Sequence, residues 1–172
     1  MAATDRLVIE PLDHPHAAGL VAALDDDRVA ILLGGPDVTT EEAMHERIAR
    51  LHEGPPAARA ERWWNFAVVL AEPPQPVIGR LEATTYGDWG EVAYVFGPRW
   101  WGHGYATEGL RWLVGHLASA GITDLWAAVT PVNVASRGVL ERAGFTPAEP
   151  RAGMNSYDPG DLVLHLAVDA AA

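Results

Sequence analysis

Apolar and polar positions follow two periods along this chain, and the period changes near Pro98. Leu7-Val-Ile-Glu-Pro-Leu12 puts Leu7 and Ile9 on one face, as a half-buried strand does. Ala17 to Leu24 reads as a short helix. Thr39-Thr-Glu-Glu42 has the form of a capping box, with Thr39 as N-cap and Glu42 at N3. It predicts a helix through about His52 with Met44, Ile48 and Leu51 as its buried stripe. The stretch from Glu53 to Ala60, with Pro55 and Pro56, is a loop. Three strand patterns follow, Trp64–Ala71, Val77–Tyr86 and Glu91–Phe96. Turn residues separate them, Pro73-Pro-Gln-Pro76 and Gly87-Asp-Trp-Gly90, so they form an antiparallel meander.

After Pro98 the apolar residues recur as Leu110, Leu113, Val114, Leu117 and Ala118, the stripe of an amphipathic helix. Leu125–Val129 is a buried strand and Leu162–Val168 a closing one. Asn133 suits an N-cap, and Gly144 ends that helix with Phe145 placed to touch Leu140. Antiparallel strands followed by strand–helix alternation give an α/β fold of the α+β type. It is expected as one domain over residues 1–172, a mixed central sheet with helices on both faces.

Composition narrows the chemistry. A chain of 172 residues buries roughly 70% of its unfolded surface. With 49% hydrophobic and 20% charged residues it is an ordinary globular sequence. Cysteine is absent, which excludes disulfides, thiolate metal sites and an acyl-cysteine intermediate. Lysine is absent too, since all 12 basic residues are Arg, and this excludes Schiff-base chemistry and a P-loop lysine. The net charge of −11 disfavours nucleic acid and anionic membrane as partners. No apolar run approaches a membrane span and no leader pattern is visible, so the expectation is a soluble cytoplasmic protein.

The most informative segment is Arg99-Trp-Trp-Gly-His-Gly-Tyr-Ala-Thr-Glu108. It follows a strand and opens a helix, so its backbone N–H groups converge on an anion site that Gly102 and Gly104 leave open to a pyrophosphate. A dinucleotide fold would need Gly or Ala where Thr107 stands and an acid at the end of the next strand, whereas Asp124 begins that strand. Arg99-x-x-Gly102-x-Gly104 instead resembles the acetyl-CoA loop of the GNAT superfamily of N-acetyltransferases. Pro98, Trp101–Glu108, Asn133-Val-Ala-Ser136 and Ala143-Gly-Phe145 are similar to its ribosomal-protein N-terminal acetyltransferase (RimJ/RimL-like) branch.

That resemblance implies acetyl-CoA as donor, direct attack by a primary amine and no acyl-enzyme, in keeping with a chain that lacks cysteine. It points to Arg99, Trp101, Gly102, His103, Gly104, Tyr105, Ala106 and Thr107 around the pyrophosphate. Tyr94, Val95 and Phe96 fall on a cofactor strand that splays open, and Asn133, Ser136 and Arg137 on the last cofactor helix. Charge agrees: residues 99–142 carry four Arg against three acids, while the rest of the chain is strongly acidic. Arg137 and Arg142 are either phosphate partners or the solvated face of a helix.

Glu91, at the start of its strand, is the expected general base and Glu82 the alternate. The tyrosine that many relatives place on the last cofactor helix is missing, since Val139, Leu140 and Glu141 stand there. The resemblance places Ser136 where this branch often has a serine near the cofactor sulfur, and a serine hydroxyl can hydrogen-bond a thiolate. The RimJ/RimL-like resemblance implies a protein or peptide N-terminal α-amine as acceptor. An α-amine of pKa near 8 is about a tenth neutral at pH 7, whereas a lysine ammonium is far below that, so such an acceptor demands only a modest base. A small-molecule amine such as an aminoglycoside, and a non-catalytic acyl-CoA sensor, are the competing readings; a homodimer is compatible with each.

Other features carry less. His45-Glu46 resembles the start of a zinc-protease helix, but position 49 is Ala and no metal site is expected. His14 and His16 flank Pro15 and are expected in solvent. Trp63, Trp64 and Trp89 belong either to the core, the commoner place, or to an acceptor cleft, and Trp100 and Trp101 are expected to shelter the cofactor loop.

Overall fold

The computed structural model describes residues 2–35 and 39–169. Eight strands form one sheet in the order β1-β2-β3-β4-β5-β6-β8-β7, with β1 at Ala2–Ala3, β2 at Leu7–Pro11, β3 at Arg62–Leu70 and β4 at Val77–Tyr86. The others are β5 (Trp89–Phe96), β6 (Asp124–Val129), β7 (Thr146–Ala148) and β8 (Leu162–Ala167). Every neighbouring pair is antiparallel except β5 with β6. Helices α1 (Ala17–Leu24), α2 (Asp27–Leu33), α3 (Glu41–Glu53), α4 (Tyr105–Ser119) and α5 (Val134–Ala143) complete the fold. Among the described residues no helix is long and apolar enough to cross a membrane.

Strand alternation divides the core between the two faces of the sheet. Leu81, Val92 and Phe96 pack with Leu110, Leu113 and Leu117 of α4 and Leu140 of α5. Ala67, Val77 and Val95 pack with Leu20 and Leu24 of α1 and Met44 and Ile48 of α3. The periodic stripes read from the sequence face the core, with Met44, Ile48, Leu110, Leu113, Leu117 and Ala118 buried and Leu51 and Val114 partly so.

Three local expectations are corrected. The N-cap of α3 is Thr40, not Thr39: Thr40 Oγ1 accepts the Ala43 N–H at 3.2 Å. With Thr40 as cap, N3 is Ala43, which has no side chain to complete a capping box. The β4–β5 turn is only Gly87-Asp88, because Trp89 and Gly90 already pair with Tyr86 and Thr85. Gly87 takes φ 74°, the left-handed conformation that a two-residue hairpin demands. Finally, α2 and β7 have no counterpart in the sequence pattern. Helix α2 buries only Val29 and is held by its ends, Asp26 capping Arg28 N–H and Gly34 at φ 76°. Strand β7 exists only by pairing with β8.

One relationship positions the site. Strands β5 and β6 pair at Trp89↔Asp124, Gly90↔Leu125 and Glu91↔Trp126, and there the pairing ends. Gly97 N–H bonds the Ile78 carbonyl at 2.9 Å, so Val95 and Ala93 also direct their backbone groups toward β4. Tyr94 and Phe96 direct theirs the other way, into the gap that β6 has left.

Candidate active site

The glycine-rich turn lies between β5 and α4. Gly102 and Gly104 have φ 79° and 83°, values that let the chain reverse twice and enter α4. The first helical bond runs from Glu108 N–H to the Gly104 carbonyl at 3.0 Å. The N–H groups of Tyr105, Ala106 and Thr107 therefore have no partner within the helix and are available to an anion. Trp101 Nε1 donates to the Phe96 carbonyl at 2.6 Å, tying the turn to the open end of β5.

Glu108 places a carboxylate in this first turn, which by itself opposes an anion. Arg6 neutralises it, with Nε donating to one carboxylate oxygen at 2.7 Å and Nη2 at 2.5 Å from the same oxygen. Arg6 also donates from Nη1 to the His103 carbonyl at 2.9 Å, and its guanidinium lies 4.7 Å over the Tyr105 ring. Burial acts to raise the Glu108 pKa, but the donors Thr4 and Arg6 outweigh it and hold it below the usual carboxylate value.

Beside the turn a cavity of about 480 Å³ runs between Val29 and Leu33 of α2, the open end of β5, and the start of α5. Tyr94, Val95, Phe96, Trp101, Gly102 and Gly104 line it, and so do Tyr105, Ala106, Thr107, Asn133 and Ser136. Three expected cofactor residues do not. Arg99 turns its guanidinium over Trp100, His103 stacks on Tyr105, and Arg137 pairs with Glu141 at 3.4 Å. Arg142 does line it, with Nε 3.5 Å from Thr107 Oγ1 and its carbonyl held by Arg111 Nη2 at 2.6 Å. Of the two α5 arginines that the charge balance singled out, the structure puts Arg142 in the cleft.

Asn133 caps α5 by accepting the Ser136 N–H at 3.0 Å. Ser136 meets the β5 side through Tyr94, whose hydroxyl donates to the Ser136 carbonyl at 2.9 Å and lies 2.8 Å from Ser136 Oγ. Burial pushes the Tyr94 phenol up to about 12, against the smaller lowering effects of Ser136 and Arg142. The hydroxyl therefore keeps its proton at any working pH.

A second cavity, about 310 Å³, opens on the α3 side of the sheet and contains both expected carboxylates. Glu91 and Ala93 line it while Tyr94 and Phe96 line the first, so β5 is the wall the two cavities share. Glu91 is buried, and both its oxygens are taken. One accepts Asn155 N–H at 2.8 Å and Tyr86 OH at 3.2 Å; the other accepts Ser156 N–H at 2.8 Å and the Ser156 hydroxyl. Glu82 concentrates its partners on Oε1, with Arg47 Nη2 at 2.6 Å and Arg80 Nε at 3.3 Å. Its other oxygen accepts no hydrogen bond among the described residues. Burial acts to raise the Glu82 pKa, but the two guanidinium groups prevail and lower it.

Sequence reasoning missed Arg47, Asn155 and Ser156. Arg47 looks like one more charge on a solvated helix face, and the other two lie in the Gly- and Pro-containing link between β7 and β8. The tryptophans divide: Trp64 is core, donating to Thr85 Oγ1 at 3.0 Å, while Trp63 lines the second cavity and Trp89 stacks on Tyr86. Of the two histidines at Pro15, exposed His14 meets His45 at 2.8 Å between Nδ1 atoms, and half-buried His16 meets Glu10 at 3.1 Å.

An open sheet edge beside an anion-binding turn, with carboxylates on the far side of the same strand, is the arrangement of an acyl-CoA-dependent transferase. The chain belongs to the acetyltransferase (GNAT) domain family, which matches residues 6–146, and it is an acetyl-CoA-dependent N-acetyltransferase. It is 28% identical over 167 residues to the FsC-acetyl coenzyme A-N(2)-transacetylase of Aspergillus fumigatus, covering 90% of this chain and 68% of that protein. Its fold matches the ribosomal-protein-S5-alanine acetyltransferase of Vibrio fischeri at TM-score 0.72 and 16% identity, over 98% of this chain and 96% of that one. It also matches the spermidine N-acetyltransferase of Vibrio cholerae at TM-score 0.70 and 14% identity, over 97% of each chain.

Proposed function

We propose that this enzyme acetylates a free α-amine, with the N-terminus of a protein or peptide as acceptor, in the manner of the RimJ/RimL-like branch. The observation that carries the reading is the shared wall: donor cavity and carboxylate cavity meet across β5, where the N–H groups of Tyr94 and Phe96 face the gap that β6 leaves. Acetyl-CoA, when bound, supplies an electrophilic thioester carbonyl and a thiolate leaving group. Its diphosphate would lie on the N–H groups of Tyr105 to Thr107, and its pantetheine arm along Tyr94–Phe96 and Asn133.

The chain's own residues then have separable tasks. Backbone N–H groups of β5 polarise the carbonyl. The amine's nitrogen forms the new C–N bond as the C–S bond breaks, and its surplus proton leaves toward the carboxylate cavity. Glu82 accepts that proton, through water, on the oxygen the arginines leave free; an α-amine needs little more, being partly neutral already. Glu91, with four donors on its two oxygens, fixes Asn155 and Ser156 as part of the acceptor wall. On the other side of β5, Ser136 offers a hydroxyl to the departing sulfur.

A small-molecule amine is the second reading, favoured by the N(2)-transacetylase likeness. Thiol release from acetyl-CoA decides between them, using peptides with free Ala, Ser or Thr N-termini, N-blocked lysine peptides, aminoglycosides and spermidine. Release with free N-termini alone supports the proposal, and release with aminoglycosides alone replaces it. Acetyl-CoA binding with no release from any amine of the panel would overturn the proposal, and would leave an acceptor outside the panel or the sensor reading.

A further inference from the structure

The polar contacts of the acceptor cavity go further than the family assignment. Arg47 reaches across from α3 and spends one nitrogen, Nη2, on Glu82. Its Nε is buried with no hydrogen-bond partner, and none of the described residues pairs with Nη1. The buried Nε is out of reach of a ligand, so Nη1 is the guanidinium nitrogen that Arg47, as part of the cavity wall, leaves open to one.

Local charge differs from the net charge of −11. Glu82 is matched by two cations on one oxygen, and Glu91 is satisfied by four donors from neutral groups. Glu91 spends both its oxygens on those internal donors, so the groups the wall leaves open are a donor and an acceptor, Nη1 of Arg47 and the free oxygen of Glu82.

We infer that the Arg47–Glu82 pair reads an amine that bears a carbonyl or carboxylate on the adjacent carbon. The carbonyl or carboxylate oxygen docks on Nη1 of Arg47, and this directs the amine toward the free oxygen of Glu82. α-Amino-acid, peptide and N-terminal amines carry that pair of groups; lysine side chains, polyamines and aminosugars do not. This rests on the transferase reading above and narrows its substrate class, making Arg47 the residue that determines specificity.

The test compares phenylalaninamide with phenethylamine, which lacks only the carbonyl, as acceptors for wild type, Arg47→Gln and Arg47→Lys. Wild type is expected to favour the amide by about tenfold in kcat/KM, carried mainly by KM. Arg47→Gln is expected to lower that ratio about tenfold, and Arg47→Lys, which keeps the charge, to restore part of it. The ratio is compared between proteins, so the different pKa values of the two amines cancel. An unchanged acetyl-CoA KM shows that each variant is folded. A ratio that Arg47→Gln leaves unchanged overturns the inference and leaves the transferase reading standing. Binding of acetyl-CoA without turnover of any amine, across this pair and the wider panel, overturns both.

Discussion

Tyr94 Oη lies 2.8 Å from Ser136 Oγ, joining β5 to the first turn of α5 across the cavity where the sheet is open. The sequence lacks a tyrosine on α5, and the fold brings one to its serine from the neighbouring strand. With its proton held up to about pH 12, the Tyr94 hydroxyl stays neutral and donates to the Ser136 carbonyl, which holds the first turn of α5 and the Ser136 hydroxyl beside β5. Tyr94→Phe and Ser136→Ala should each lower kcat by about tenfold with little change in acetyl-CoA KM. If the two act as a unit, the double variant is scarcely worse than either single one. Additive losses in that cycle would separate them.

Tyr94 also has a consequence for stability in alkali. Its folded pKa is raised from 10.0 to about 12, so its contribution is complete below pH 10 and is lost as pH rises toward 12. Thermal unfolding measured between those values should show a steeper decline for wild type than for Tyr94→Phe. Parallel curves would contradict the buried, neutral phenol.

Arg6 neutralises Glu108 in the first turn of α4, at the place where the donor's diphosphate would bind. Arg6→Ala should raise acetyl-CoA KM by about three- to tenfold, on the order of 1 kcal/mol for an exposed charge at a helix N-terminus. Adding Glu108→Gln should recover much of the loss. A KM that stays put in Arg6→Ala would show that the carboxylate does not reach the donor site.

The two buried carboxylates should separate kinetically. Glu82→Gln removes the open oxygen and should lower kcat by about 100-fold. Glu91→Gln loosens Asn155 and Ser156 and should act chiefly on acceptor KM. The reverse pattern in initial rates would make Glu91 the base.

Thr40→Ala should cost about 1 kcal/mol of stability in chemical denaturation, and Thr39→Ala close to nothing. Equal costs would restore the earlier cap position.

Strands β2 to β6 and β8 and the helices α1, α3, α4 and α5 are legible in the sequence because each buries a regular stripe long enough to show its period, which the two residues of β1 and the three of β7 do not. Helix α2 is not, since seven residues with Val29 alone buried leave no period to read. The donor site is legible because it is local: one turn and the helix after it carry the backbone groups an anion needs. The acceptor cavity is assembled from α3, β3, β4, β5 and the β7–β8 link, and nothing in the pattern of Arg47 or Asn155 announces that they meet there. The sequence puts Tyr94 on the cofactor strand but not beside Ser136, which stands 42 positions further on.

The central claim is transfer of an acetyl group to an α-amine. Its most direct test is mass spectrometry of a peptide with a free N-terminal alanine and one internal lysine, after incubation with the enzyme and acetyl-CoA. One acetyl group on the N-terminal nitrogen, none on the lysine, and an equal amount of free thiol is the result expected. Acetylation confined to the lysine side chain would contradict the account.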